Sequence, residues 1–131
     1  MLGFLDFVFL SYSGRIGRTG YWLGLLALGI IEIAAILMLL RLSGGTLADL
    51  AADPDTLSEA ALMHVLLPVA IVSLMFLYPT YAITTKRWHD RGKSGWWSLI
   101  VLVPIIGGIW ALIELGFLGG EDGVNNYGYR A

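Results

Sequence analysis

The chain has 131 residues, of which 57% are hydrophobic and 14% are charged, and its formal net charge is −2. Ordinary soluble domains are roughly 45–50% apolar and about 25% charged, so a water-soluble domain of this length has too little interior for so much apolar material. The small negative charge argues against a basic nucleic-acid-binding protein, and the absence of cysteine excludes disulfides, thiolate metal sites and cysteine nucleophiles.

The N-terminal segment, 1–13, is apolar but short. A helical membrane crossing needs about 20 apolar residues, and Asp6 interrupts this run. The segment also lacks the basic start and the small-residue cleavage site of a signal peptide. We therefore expect a short helix lying at the membrane interface.

Three long apolar stretches follow, at 21–42, 61–83 and 96–118. Each is long enough, as a helix, to cross a hydrocarbon core of about 30 Å. Helices of a soluble bundle carry a polar face and barrel strands alternate, whereas these stretches do neither. The pattern predicts an all-α polytopic membrane protein: a single membrane domain, 1–131, with three transmembrane helices, the N-terminal interfacial helix and a tail at 119–131.

Lysine and arginine residues predict the orientation of these helices. Arg41 and Arg130 are expected on one side of the membrane, and the other basic residues on the opposite side: Arg15, Arg18, Lys86, Arg87, Arg91 and Lys93. Because basic residues are enriched in cytoplasmic segments, the N-terminus and the segment between the second and third helices are predicted to be cytoplasmic. The C-terminus is then predicted on the periplasmic or extracellular side.

Polar residues are densest at 86–97, directly after the second apolar stretch. The basic residues there are expected to bind anionic lipid headgroups, at about 1 kcal/mol each, or to form a structural polar cluster. The predicted members of this site are Arg15, Arg18, Lys86, Arg87, His89, Asp90, Arg91 and Lys93. Another interpretation makes His89 and Asp90 an acid–base pair that acts on a lipid phosphate. Adjacent residues seldom face one substrate, however, and no nucleophile or metal cluster accompanies them. We therefore predict no catalytic and no metal site.

Glu32 lies near the middle of the first apolar stretch, where a charge costs a few kcal/mol. We expect it to be protonated, hydrogen-bonded within the bundle or facing a water-filled cavity. Ser73 lies at a similar depth in the second stretch and is the predicted partner. An interhelical hydrogen bond or a subunit contact is favoured over an ion-responsive site, because a transporter usually has more intramembrane polar groups. Glu114 is expected near the far end of the third stretch, within reach of His64.

Three blocks of residues together resemble a known family. They are Gly14-Arg15 through Arg18 to Tyr21-Trp22, then Lys86-Arg87-Trp88-His89-Asp90 with Ser94-Gly95-Trp96-Trp97, then Gly123 with Asn125-Asn126-Tyr127-Gly128. This pattern resembles the bacterial inner-membrane family called domain of unknown function 805, the YhaH/YhaI-like proteins. Members typically have Arg and Leu in place of Lys86 and Trp88. They commonly have a proline soon after the final Tyr-Gly, which this chain lacks.

The resemblance implies a small polytopic protein of the bacterial inner membrane and implies no activity. It marks these residues as family-type positions: Arg15, Arg18, Arg87, His89, Asp90, Gly95, Trp96, Asn126 and Gly128. The arginines of the first block and the His-Asp pair of the second fall on the same predicted side of the membrane. We therefore expect one cluster, in which Asp90 forms an ion pair with Arg15 or Arg18.

The predicted function is that of a non-enzymatic accessory or envelope component. Its basic cytoplasmic face is expected to bind anionic lipid or a partner, either a second copy of the chain or another membrane protein. No cofactor and no nucleic acid are expected. The alternatives are an oligomeric transporter or channel subunit centred on Glu32, and an enzyme that acts on lipid phosphate through His89 and Asp90.

Overall fold

A computed structural model describes residues 2–53, 55 and 58–130. These residues are mostly helical, and the described part of the chain forms no β-sheet, only two isolated bridges. The contacts divide them into two units. The first unit comprises 2–27 and 78–130, and the second unit comprises 28–77.

The N-terminal segment is helical, as predicted. Helix α1, Leu2–Leu5, continues as a π-helical turn over Asp6–Leu10. The helical segment ends at Ser11, whose backbone is extended and whose amide donates to the carbonyl oxygen of Asp6 at 2.9 Å. The position of this segment at a membrane interface stays a prediction.

Two helices are long and apolar enough to cross a membrane: α2, Arg18–Leu42, and α4, Glu59–Asp90. They contain the first two predicted spans. Of the 18 most apolar consecutive residues in each helix, only 17% are buried. The core helix of a soluble protein would bury most of these residues, so the exposed apolar side chains indicate contact with lipid.

The second unit contains the connection between these two helices. Helix α3, Leu47–Ala51, begins with a capping box, in which the amide of Thr46 donates to the Asp49 carboxylate at 2.7 Å. Hydrogen bonds from Thr46 hold the pKa of Asp49 below its ordinary value. The hydroxyl of Ser43 donates to the carbonyl oxygens of Leu40 and His64, at 2.8 and 3.0 Å, and so joins the ends of α2 and α4.

Helix α4 extends seven residues beyond the predicted end of the second span, from Ile83 to Asp90. The residues predicted as a basic loop therefore begin on a helix. The helix continues because no glycine or proline interrupts it before Gly92, which has a φ of +68°. There the carbonyl oxygen of Trp88 accepts from the amide of Lys93 at 2.9 Å, a typical glycine-terminated helix end.

The third apolar stretch differs from the predicted single helix over 96–118. It consists of a 3₁₀-helix, Gly95–Leu102, then α5, Ile106–Ala111, and a π-helical turn, Leu112–Phe117. The interruption comes at Pro104, which has no amide hydrogen, and at Ile105, which has a φ of +65°. The amide of Ile106 donates to the carbonyl oxygen of Pro104 at 2.7 Å, which closes a γ-turn that is unusual for a β-branched residue.

The two limbs of this stretch fold back on each other, and we call residues 95–117 the apolar hairpin. At its start, the hydroxyl of Tyr81 on α4 donates to the carbonyl oxygen of Gly95 at 3.1 Å. At its end, Nε of Arg87 on α4 donates to the carbonyl oxygen of Leu115 at 2.7 Å. Both ends of the hairpin therefore contact the last turns of α4. One long helix could not do this, so the third stretch is not a single helix over 96–118, and a third membrane span stays a prediction.

We predict that Gly107→Ala destabilises the hairpin while Gly108→Ala does not. A methyl group on Gly107 would overlap the backbone carbonyl oxygen of Ile100, whereas one on Gly108 meets nothing within 4 Å. Overpacking costs about 1–3 kcal/mol, and alanine otherwise favours a helix over glycine by about 1 kcal/mol. Thermal unfolding in detergent micelles measures the difference. Equal midpoints for the two variants would contradict this packing of the hairpin.

Candidate functional site

A buried carboxylate, that of Asp90, joins three arginines of the first unit. Asp90 is the last residue of α4, and its side chain is 0% exposed. Its Oδ1 accepts from Arg15 Nη2 at 3.0 Å and from Arg130 Nε at 2.6 Å, and its Oδ2 accepts from Arg87 Nη1. We call these four residues the Asp90 network. The ion pair that the sequence analysis predicted between Asp90 and Arg15 is present.

The arginines of the network also bind backbone carbonyl groups of the tail. Nη1 of Arg15 donates to the carbonyl oxygens of Gly123 and Gly128, at 2.6 and 3.0 Å. Nη2 of Arg130 donates to the carbonyl oxygen of Glu121 at 2.8 Å. We call residues 11–17, between the π-helical turn and α2, the N-terminal turn. The guanidinium groups thus hold the N-terminal turn and the tail together, and the Arg15 side chain is fully buried.

Two arginines bind the C-terminal end of the apolar hairpin. Arg87 donates to the carbonyl oxygens of Leu115 and Leu118. Arg18, the other predicted partner of Asp90, instead donates to the carbonyl oxygen of Phe117 at 3.1 Å. The last carbonyl groups of a helix have no partner within it, and arginine side chains are suited to this position.

The sequence analysis predicted that the tail lies on the side opposite the basic segment. The structure instead brings the tail into contact with that segment. The amide of Glu121 donates to the carbonyl oxygen of Asp90 at 2.8 Å, and the side chain of Arg130 contacts the Asp90 carboxylate. The physical reason is the turn at Pro104 and Ile105, which returns the chain to the end of α4. Arg15, Asp90 and Arg130 therefore lie together in the first unit.

Lys86 connects α4 to the N-terminal helical segment. Its Nζ donates to the carbonyl oxygens of Phe7 and Val8, at 2.7 and 2.9 Å, and to that of Ser11. These carbonyl groups lie at the C-terminal end of the segment, where a cation is favourable. The Lys86 side chain is fully buried, so it does not reach lipid headgroups in this structure.

His89 and Asp90 are adjacent in sequence but bind different groups. Nδ1 of His89 lies 3.1 Å from the carbonyl oxygen of Gly14, and its ring stacks on Tyr127 with centroids 3.8 Å apart. The amide side chain of Asn125 donates to the His89 carbonyl oxygen at 2.8 Å. No hydrogen bond between His89 and Asp90 occurs among the described residues. The arrangement does not resemble an acid–base pair that faces one substrate.

Glu114 forms a second ion-pair cluster in the first unit. Its Oε1 accepts from Lys93 Nζ at 2.7 Å and from Arg91 Nη2 at 3.0 Å, and its side chain is 8% exposed. The sequence analysis placed Glu114 at the far end of a third span, near His64. Because the hairpin turns back, Glu114 instead lies beside the basic residues that follow α4.

Burial separates the cations that were predicted to bind lipid headgroups into two groups. Those that are fully buried and bonded to carbonyl or carboxylate oxygens are Arg15, Lys86 and Arg87. Those with exposed surface are Arg18, Arg91 and Lys93. Only the second group is accessible to anionic headgroups.

No group of three His, Cys, Asp or Glu residues suited to a metal ion occurs among the described residues.

The predicted hydrogen bond between Glu32 and Ser73 is present in the second unit. The hydroxyl of Ser73 donates to Oε1 of Glu32 at 3.3 Å, and both side chains are partly buried. The bond joins α2 to α4 at mid-helix, where an isolated carboxyl group is costly. The role of these residues beyond this contact stays a prediction.

The sequence analysis did not assign Arg130, Glu114 or Tyr127 to the site. Two features could have indicated them. The third apolar stretch contains Pro104 near its middle, and it contains Glu114, a charge that a straight span would expose to lipid. A hairpin brings both Glu114 and the tail to the end of α4, so these features favour it over a straight span.

We predict that Asp90→Asn strongly destabilises the first unit. The amide cannot balance three guanidinium groups, and breaking a buried ion pair costs about 3–5 kcal/mol. Asp122→Asn is the matched control because Asp122 is exposed. Thermal unfolding and amide hydrogen exchange of the tail in detergent micelles measure the effect. If Asp90→Asn unfolds and exchanges like the control, the network does not hold the tail.

Comparison with known proteins identifies relatives over nearly the whole chain. The family described as "Protein of unknown function (DUF805)" matches residues 9–129. "Uncharacterized protein YiiR" of Escherichia coli (strain K12) is 30% identical over 142 residues, which cover 90% of this chain and 84% of YiiR. "Inner membrane protein YhaI" and "Inner membrane protein YhaH" of the same strain are 31% and 27% identical, each over 92% of this chain and over 85% and 86% of their own lengths. No solved structure is significantly similar. The chain is a helical membrane protein and belongs to the DUF805 family.

Proposed function

We propose that the protein is a non-enzymatic accessory component of the bacterial inner membrane. Helices α2 and α4 cross the bilayer, and the apolar hairpin enters and leaves it from one side. The observation that supports this topology is the Asp90 network, which gathers the N-terminal turn, the end of α4 and the tail around one carboxylate. Relatives whose names describe them as inner-membrane proteins support the location.

The charge distribution supports a cytoplasmic position for the Asp90 network and for the N-terminal turn, the end of α4 and the tail around it. We call this part of the protein the network end. With the tail at this end, seven of the eight basic residues belong to it, and only Arg41, near the far end of α2, does not. The straight-span topology had placed two basic residues on the far side. Because an excess of basic residues marks the cytoplasmic side, the proposed topology follows this rule more closely. Both chain termini are then cytoplasmic.

The contacts of His89 and Asp90 disfavour an enzyme that uses them. Asp90 is occupied by three arginines, and the His89 ring is bonded to Gly14 and stacked on Tyr127. A general base needs free access to the proton that it removes. The network is better suited to a structural role, which leaves Arg18, Arg91 and Lys93 as the accessible cations for anionic lipid or a partner.

Cysteine labelling tests the proposed topology, and the chain has no native cysteine. The variants are Ser13→Cys, Asp55→Cys and Tyr129→Cys, all at exposed positions. In bacterial spheroplasts, a membrane-impermeant maleimide is expected to label only Asp55→Cys, and all three after detergent permeabilisation. Labelling of Tyr129→Cys in intact spheroplasts would restore the three-span topology. Labelling of Ser13→Cys there would reverse the proposed orientation.

A transporter or channel subunit centred on Glu32 is a second candidate, which the Ser73–Glu32 hydrogen bond favours. An oligomer is required, because so few helices enclose no pathway by themselves. If Glu32 carries protons, Glu32→Gln is expected to lower proton flux into proteoliposomes at least tenfold, since an amide does not titrate. Glu59→Gln, at the exposed start of α4, is the matched control. Equal flux for the wild type and both variants would reject this candidate.

A further inference from the structure

Two accessible arginines meet at the C-terminal end of the apolar hairpin. Nη1 of Arg18 donates to the carbonyl oxygen of Phe117 at 3.1 Å, and Nη1 of Arg91 donates to the carbonyl oxygen of Gly119. These carbonyl groups are two residues apart, which is at most about 7 Å along the chain. Burial lowers the pKa of Arg87, and the charges of Arg91 and Arg18 lower it further, as neighbouring cations do. The two guanidinium groups are therefore close enough to bind one ligand headgroup.

The carbonyl group between these two binds an arginine on the other side of the chain. The carbonyl oxygen of Leu118 accepts from Arg87, whose side chain is fully buried. Leu118 has an extended backbone, with a φ of −73° and a ψ of 144°. Successive carbonyl groups of an extended chain point to opposite sides. Arg87 is thus on the inner side of this segment, and Arg18 and Arg91 are together on its outer side.

Both arginines keep unused N–H groups on accessible side chains. A guanidinium group has five N–H donors. Arg18, which is exposed, uses one of them, and Arg91 uses three, two of which bind Oε1 of Glu114. Lys93 uses one of its three donors, also on Oε1 of Glu114. The side chains of Arg91 and Lys93 are 25% and 29% exposed. These cations can therefore bind an anion without losing a bond that they already make.

The first unit carries an excess of positive charge. It contains seven basic and five acidic residues, including the nearby Glu121, whereas the second unit contains one basic and five acidic residues. Arg91 and Lys93 share a single carboxylate, that of Glu114. Among the described residues, no carboxylate forms an ion pair with Arg18. The accessible excess is therefore one positive charge on Arg18 and one on the Arg91–Lys93 pair.

Aromatic and apolar side chains adjoin the two arginines. Trp22 lies one turn after Arg18 on α2, and its Nε1 donates to the carbonyl oxygen of Gly116 at 3.1 Å. Its exposed ring packs edge-on against Phe117, which is also exposed. Tryptophan is typical of the headgroup level of a bilayer. A ligand that carries acyl chains as well as negative charge fits this surface.

We propose that Arg18, Arg91 and Lys93 bind an anionic phospholipid with two phosphates joined by one glycerol, which is the headgroup of cardiolipin. One phosphate contacts Arg18, and the other contacts Arg91 and Lys93. Two negative charges thus match the two accessible positive charges, and guanidinium groups bind phosphate through paired N–H donors. Basic surfaces on the cytoplasmic side of membrane helices are typical sites for such headgroups. The assignment rests on the proposed function, which places these cations at the bilayer surface.

Native mass spectrometry of the full-length protein in detergent tests the proposal. The probes are cardiolipin, phosphatidylglycerol and phosphatidylethanolamine with identical acyl chains, compared at equal phosphate concentration. Because two linked phosphates bind one surface, cardiolipin is expected to bind at least about tenfold more tightly than phosphatidylglycerol. Equal affinities, or a preference for either of the other lipids, would overturn the proposal. Displacement of cardiolipin by inorganic phosphate at equal concentration would also overturn it, because the surface would then select the free anion.

Arg18→Gln and Arg91→Gln test the two arginines, and Arg41→Gln is the matched control at an exposed position of the second unit. Glutamine keeps an amide donor for the backbone carbonyl oxygen but carries no charge. Each of the first two variants is expected to lower the preference for cardiolipin over phosphatidylglycerol about tenfold, because only one phosphate is then held. Arg41→Gln is expected to keep the full preference. Wild-type preference in Arg18→Gln or in Arg91→Gln would reject the site, as would its loss in Arg41→Gln.

The labelling and lipid-binding experiments fail in different ways. Binding in detergent does not depend on which side of a membrane the arginines face. A reversed orientation by cysteine labelling with retained cardiolipin preference would overturn the proposed topology alone. The expected labelling without cardiolipin preference would overturn the lipid assignment alone.

Discussion

Charges removed from water must be neutralised and hydrogen-bonded, and this constraint governs the first unit. Asp90, Arg15 and Arg87 are all fully buried. Desolvating such groups costs several kcal/mol each, and the cost is offset only when every donor and acceptor finds a partner. The carboxylate therefore requires the arginines, and the arginines require carbonyl groups of the tail and the hairpin. Segments far apart in sequence are fixed together by this requirement.

The sequence predicted what depends on composition and on local spacing. The α2 and α4 helices follow from their apolar runs, because lipid stabilises any long apolar helix in the same way. The Asp90–Arg15 contact followed from the family-type blocks, and the Ser73–Glu32 contact followed from counting depth along two spans. Each of these inferences needed only the identity of residues, the family pattern and the distance from a helix end.

The sequence did not predict the fold of the third apolar stretch, and hydropathy could not have done so. Transfer of an apolar residue into lipid is favourable whether the chain continues straight or turns back. The decision lies with the backbone at Pro104 and Ile105, and with the carbonyl groups that Arg87 and Arg18 bind at the far end. The error then spread to Glu114 and Arg130, because their predicted positions depended on a straight crossing.

A hairpin tip within a membrane is acceptable only if its backbone groups are bonded internally. The turn of this hairpin meets that condition in part. The amides of Val103, Ile106 and Gly107 donate to carbonyl oxygens within the turn, and Pro104 has no amide hydrogen to satisfy. The side chain of Ile105 is 81% exposed and apolar, as a lipid contact requires. The first limb, eight residues of 3₁₀-helix at about 2 Å per residue, is about 16 Å long, or roughly half of a hydrocarbon core. The γ-turn is strained, but it lets an apolar chain reverse and return Glu114 and the tail to the arginines and lysines that neutralise them.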